Sequence, residues 1–140
     1  MANSKEHALT ASETLLVLER AALDRWGKGD PDGCLEISAP EVTYFDPFLE
    51  QRLDGIAALA AWYAPIRGKI RIDRDQIIDP RVQLYGETAV LTYRYDSHGS
   101  ESAMRWNCTE VYHRYAGNWK IVHTHWSFTK SGAGSPAAGE

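Results

Sequence analysis

Residues 109–127, TEVYHRYAGNWKIVHTHWS, are two runs of β-branched, aromatic and polar residues on either side of Ala116-Gly117-Asn118. Gly and Asn accept the left-handed backbone that a tight turn needs, so the stretch reads as a β-hairpin. Toward the amino terminus, His98-Gly99 and Tyr85-Gly86 repeat the same punctuation. Together the three turns divide the second half of the chain into strands near 70–84, 87–97, 102–115 and 118–129. Short turns between long strands imply an antiparallel meander.

Ahead of the meander the periodicity is helical. Thr10 and Glu13 have the spacing of a capping box, and Leu15, Leu18, Ala22 and Trp26 recur at three and four to form one apolar stripe. This predicts a helix over 10–27, stopped by Gly27 and Gly29. Asp30-Pro31 restarts a short second helix, with Asp30 as its cap. Val42-Thr43-Tyr44-Phe45 reads as a short strand ended by Asp46-Pro47. A third helix follows Asp54-Gly55, with Ile56, Leu59, Tyr63 and Ile66 along one face. Helices followed by strands define an α+β domain, expected over 1–130 and trailed by a disordered small-residue tail at 131–140.

Composition limits what such a domain does. The 140 residues carry a net charge of −4, which disfavours nucleic acid as a partner, because phosphate binding needs clustered Lys and Arg. Cys34 and Cys108 are far apart and form no CxxC pair, so neither a disulfide framework nor a zinc site is implied. No apolar run is long enough to span a membrane, and MANSKEHALTASE lacks the apolar stretch of a signal peptide, so a cytoplasmic protein with reduced thiols is expected. Aromatic residues make up 11% of the chain and crowd into 44–63 and 93–128, enough to build both a core and a ligand cavity. Aromatics fall on both faces of the last two strands, and helices can cover only one. The other face is expected to meet a second subunit, most simply in a two-fold dimer.

The order helix, short helix, DPFLEQRLDG (46–55), helix and four-strand meander resembles the nuclear transport factor 2-like superfamily, also called cystatin-like. TEVYHRYAGNWKIVHTHWS resembles the closing hairpin of SnoaL-like domains and of the calcium/calmodulin-dependent protein kinase II association domain. VTYFDPFLEQRLDGIAALAAWY (42–63) resembles that domain and Δ5-3-ketosteroid isomerase. The resemblance covers residues 8–129. It implies a cone of amino-terminal helices packed on a curved four-stranded antiparallel sheet with short extra strands. This fold hosts isomerases, cyclases, dehydratases and non-catalytic assembly modules.

Strand parity is open on spacing alone. A two-residue loop puts Glu110 opposite His123, and a three-residue loop puts it opposite Thr124, on the side of Trp126. The resemblance implies the three-residue loop. The pocket side then carries Leu91, Tyr93, Tyr95, Trp106, Cys108, Glu110, Val122, Thr124 and Trp126, capped by Leu59 and Tyr63. Two carboxylates stand out as candidate catalytic residues. Asp46, before a proline at a strand end, matches the isomerase's proton-shuttling aspartate, although Asp-Pro is also a common turn dipeptide. Glu110, between Cys108 and Tyr112, is costly to bury charged and matches the isomerase's neutral hydrogen-bond-donating acid, for which a cross-strand salt bridge is the plainer alternative. The isomerase's tyrosine matches Ala22, and the association domain's pocket arginines match Tyr95, Glu110 and Trp126. The expected ligand is therefore small, partly apolar, and neutral or cationic, with Leu59, Tyr63, Tyr93, Tyr95, Trp106, Thr124 and Trp126 as contacts.

His113, His123 and His125 share a face with metal-like spacing, but that face is the one assigned to the partner, where histidines satisfy interface hydrogen bonds. No metal or cofactor is expected. No phosphate-cradling Gly-rich loop, nucleophile elbow or Ser-His-Asp arrangement is present. Two functions follow from these residues. One is a small-molecule-binding protein that moves a proton at carbon, and the other is a non-catalytic self-associating module.

Overall fold

The computed structural model describes residues 9–100 and 102–130. The tail expected at 131–140 and the first eight residues of the expected domain lie outside the described residues. Helix α1 spans Ala11–Trp26 and opens with the capping box: Glu13 N donates to Thr10 Oγ1 at 3.1 Å, and Thr10 N donates to Glu13 Oε1 at 2.9 Å. Its buried face is Leu15, Glu19, Ala22 and Leu23. That face is rotated from the expected stripe, with Leu18 and Trp26 at its half-buried edge, and it includes a glutamate. Helix α2, Asp32–Glu36, starts after Pro31, and the Asp30 carboxylate accepts from the Asp32 amide at 3.0 Å. Arg25 joins the two helices by donating to Asp30 at 2.8 Å and to Glu36 at 2.8 Å.

The expected short strand is longer and does more. It spans Ser38–Phe45 (β1) and lies parallel to the last strand of the meander, while Leu53–Asp54 (β2) pairs antiparallel with it. The meander itself is β3 (Arg74–Tyr85), β4 (Thr88–His98), β5 (Ala103–Tyr115) and β6 (Asn118–Phe128). One six-stranded sheet results, in the order β2-β1-β6-β5-β4-β3. Pro40 and Pro80 fall inside register shifts of β1 and β3, where the ladder does not need the amide that proline lacks. Such bulges bend a strand and increase its twist, which lets the sheet curve over the helices.

The final hairpin corrects the loop reading. Tyr115 pairs with Asn118, so the loop has two residues, Ala116 and Gly117, at φ of 49° and 88°. Positive φ at both central positions suits the right-handed twist of the flanking strands. By itself this loop would set Glu110 opposite His123. A bulge intervenes: Tyr112 pairs with Ile121 and Val111 with His123, leaving Val122 as the extra residue. Glu110 then pairs with Thr124 and Cys108 with Trp126. Trp119 and Ile121 take the buried positions, in place of Val122.

The inner face holds Leu91, Tyr93, Tyr95, Cys108, Glu110 and Tyr112 in its buried centre. Burying a side chain the size of Leu91 contributes roughly 1.5–3 kcal/mol. The outer face is wetter, with Arg94, Arg105, Asn107 and His125 exposed. Helix α3, Ile56–Tyr63, and a 3₁₀ turn, Ala64–Ile66, lead to the loop before β3. That loop is pinned to the end of α1. Gly68 N donates to Gly29 O at 2.8 Å, and a Cβ on Gly29 would come within 2.9 Å of the Gly68 backbone. Glycine at 29, with φ of 85°, is required both for its turn and for this approach.

Candidate functional site

The end of α1, the loop 65–72, α3, the Asp46 loop and the inner sheet face enclose a cavity of about 720 Å³. Its walls are aromatic: Trp26, Tyr44, Trp62, Tyr63, Tyr95, Trp106 and Trp126. The rings brace one another edge to face, as Trp126 does against Tyr95 at 5.9 Å and against Trp106 at 5.7 Å. Packing of this kind holds walls in place around a space wide enough for a small ligand.

Asp46 is the acid in that wall. Tyr44 and Trp62 each donate to its Oδ2 at 2.9 Å, through the phenol hydroxyl and the indole N–H. Phe48 N donates to Oδ1 at 2.9 Å. The turn bond and the cavity position therefore coexist. Three donors fix the carboxylate, and Oδ1 carries one bond to two on Oδ2, so Oδ1 keeps an acceptor direction for a guest. Tyr63, buried on α3, hydrogen-bonds the Tyr44 hydroxyl and extends this network.

Glu110 lies elsewhere. It borders a second void of about 20 Å³, together with Glu19, Leu59 and Thr124. Leu23, Cys34, Tyr63 and Trp126 line both spaces and so form the partition between them. Thr124 Oγ1 donates to Glu110 Oε2 at 2.9 Å. Glu19 Oε1 and Oε2 accept from Tyr112 at 2.6 Å and Tyr93 at 2.5 Å. Burial, then the charge of Glu19, pushes the Glu110 carboxyl well above the usual range. Its Oε1 has no hydrogen-bond donor. A proton held there and donated toward Glu19 satisfies both acids. Glu110 forms no salt bridge to Arg or Lys among the described residues, and it lies on the small void, not on the large cavity. Its partner is a second glutamate.

Of the residues assigned to one pocket, Asp46, Tyr63, Tyr95, Trp106 and Trp126 line the large cavity. Glu110, Leu59 and Thr124 line the small void, and Tyr93 turns its hydroxyl to Glu19. The division follows from the partition: Leu23, Cys34, Tyr63 and Trp126 stand between two spaces that parity alone makes one face. Ala22, which stands in place of the isomerase's tyrosine, lines the small void. Tyr95 is also committed, since its hydroxyl donates to Asp75, which accepts from Arg20 at 2.6 Å.

Sequence reasoning missed Glu19 and Trp62. Glu19 was legible in principle, four residues after Leu15 and three before Ala22, but acids in an amphipathic helix are normally assigned to solvent. Trp62 was obscured by α3, whose residues are apolar all round and give no facing signal. Among the described residues, the group of three potential metal ligands with donor atoms within 4.8 Å is Glu19, Cys108 and Glu110. Glu19 already accepts two tyrosine hydroxyls, and burial pushes the Cys108 thiol up, so the cluster is built as a hydrogen-bonded acid pair. The histidines sit on the outer face, where Thr43 Oγ1 lies 2.7 Å from His123 Nδ1 and Thr88 Oγ1 lies 3.0 Å from His113 Nδ1. Burial and the neighbouring His125 lower the pKa of His123.

A helical cap over a curved, mostly antiparallel sheet, with an aromatic cavity between them, defines the nuclear transport factor 2-like class. Within it, the chain belongs to the calcium/calmodulin dependent protein kinase II association domain family, whose profile matches residues 11–130. Among solved structures it resembles a provisionally assigned ketosteroid isomerase from Parabacteroides distasonis. That match has 39% identity and a TM-score of 0.79, over 86% of this chain and 89% of the other. The S. rosetta CaMKII hub shares the fold at 22% identity and a TM-score of 0.70, over 87% and 99% of the two chains. A provisionally assigned dehydratase from Streptomyces avermitilis shares it at 21% identity and 0.67, over 84% and 95%. No curated protein matches the chain. Among the described residues no helix is long and apolar enough to cross a membrane.

Proposed function

We propose that this protein binds a small molecule with a partly apolar body in the large cavity and moves a proton at one of its carbons, with Asp46 as the base. The observation that carries the reading is a carboxylate fixed by three donors in the wall of an aromatic cavity of about 720 Å³. Asp46 Oδ1 takes the α proton of a β,γ-unsaturated ketone, the electron pair moves into a dienolate, and the proton returns to the γ carbon as the double bond shifts from β,γ to α,β and the carbonyl re-forms. Atoms and electrons balance without a cofactor. The likeness to the Parabacteroides distasonis protein supports this reaction class.

The test uses a cyclic β,γ-unsaturated ketone, whose isomerisation is followed as absorbance of the conjugated enone. Asp46→Asn, which keeps size and turn bonding, is expected to lower turnover by about 10²–10⁴-fold, with the circular dichroism spectrum unchanged. Undiminished turnover removes Asp46 as the base. Binding without turnover in the wild-type protein leaves a ligand-binding protein and removes the enzyme.

Self-association is a second reading, favoured by the family match and by Phe45, His123 and His125 grouped on the outer sheet face. It is compatible with the first, because the cavity lies on the inner sheet face and the histidines lie on the outer one.

A further inference from the structure

The rim of the large cavity differs from its walls. Lys69 and Arg71, from the loop pinned by Gly29 and Gly68, line it together with Ser97 and Ser102. On the surface, Arg25, Arg52, Arg67 and Arg114 are neutralised by carboxylates at 2.5–2.8 Å, whereas Lys28, Arg74, Arg81 and Arg94 have no close carboxylate among the described residues, and none of these lines the cavity. At the rim, Arg71 is 3.7 Å from Asp73 with its side chain 83% exposed, and among the described residues no carboxylate pairs with Lys69. Two weakly compensated cations thus stand at the entrance of an apolar chamber in a chain whose net charge is −4. Asp46, the acid of the chamber, already accepts three hydrogen bonds.

We infer that the ligand carries an anionic group, a carboxylate or sulfonate-like end, which docks on Lys69 and Arg71 at the rim while its apolar body fills the chamber. This rests on the cavity reading above and refines its substrate class. The sequence alone, read from the strand residues with Leu59 and Tyr63 as cap, shows acids among the aromatics and so favours a neutral or cationic ligand. The 65–72 loop reverses the sign at the one place where a guest's polar end remains near water. Opposite charges at an exposed rim also speed encounter and orient entry, tail inward.

The test needs no knowledge of the natural ligand. Two fluorescent probes share an N-phenylnaphthylamine body: 8-anilinonaphthalene-1-sulfonate is anionic, and N-phenyl-1-naphthylamine is neutral. The wild-type protein is expected to bind both, with the neutral probe displacing the anionic one and energy transfer from the cavity tryptophans reporting occupancy. In the K69A/R71A double variant, the Kd of the sulfonate is expected to rise about five- to tenfold, as for the loss of two partly exposed ion pairs, while the neutral probe changes less than about twofold. Equal effects on the two probes, or none on the sulfonate, overturn the anionic end and leave the chamber intact. A sulfonate that the neutral probe cannot displace is bound outside the cavity, which also overturns it. Failure of the neutral probe to bind at all sinks the cavity reading itself.

Discussion

Glu110 and Glu19 face one another across a void too small for anything but water, with two tyrosine hydroxyls and one threonine hydroxyl aimed at them. The tyrosines donate to Glu19, and burial beside that carboxylate raises the Glu110 pKa, which keeps the proton on Glu110. Because the folded-state pKa of Glu110 is raised above its ordinary 4.5, its contribution to stability is fully present below that value and is lost as pH rises toward the folded pKa. Glu110→Gln keeps a neutral donor in the same shape but has no proton to lose. Urea melts from pH 5 to pH 9 should show wild type losing stability relative to this variant by up to about 1.4 kcal/mol per pH unit. Parallel curves would mean that the pair holds no extra proton. Asp46 is a residue-scale matter of another kind. Its turn bond and its two side-chain donors come from residues 48, 44 and 62, so the carboxylate is fixed by one stretch of chain.

At the scale of elements, the β5–β6 hairpin decides which side chains reach the interior. Its two-residue turn and the bulge at Val122 cancel in parity, and only their combination sets Thr124 and Trp126 on the inner face. Deleting Val122 removes the extra residue and leaves Val111 opposite His123 and Glu110 opposite Thr124, so the inner face is expected to survive in a regular ladder. The expected result is an unchanged tryptophan emission maximum with a modest change in stability. A red-shifted emission would show Trp126 turned outward and would overturn the assignment of Val122 as the bulged residue. The α1 cap is a milder case. Thr10→Ala removes one half of the capping box and should reduce stability by about 0.5–2 kcal/mol in denaturant melts, without altering probe binding in the cavity.

For the whole molecule, the parallel β1–β6 pairing is what closes the architecture. It places Asp46, at the end of β1, beside the carboxyl-terminal end of the meander and over the cavity. The outer face carries half-buried Val111, His113 and His123 at its centre and is the surface we expect a second copy to cover. Size-exclusion chromatography with light scattering should give twice the chain mass for the wild type, and Val111→Lys, in the middle of that face, should give the monomer. A larger closed ring would favour the assembly module over the enzyme-like reading, and a monomeric wild type would remove self-association altogether.

Much of this was legible in residues read one after another. The capping box, the glycine turns and the alternating runs are local, set by backbone conformation within a few positions, and they suffice to place three helices and four long strands. Asp46 was legible for the same reason, since a strand ending in Asp-Pro declares where its carboxylate turns. What local pattern does not contain is parity across a bulge, the facing of an all-apolar helix, and the rotation of α1 that buries Glu19. Only the tertiary structure settled these, because each depends on which rings fill a shared volume. Leu23, Cys34, Tyr63 and Trp126, which line both spaces, divide the interior into two compartments where spacing implied one, with Glu110 on the smaller and Asp46 on the larger.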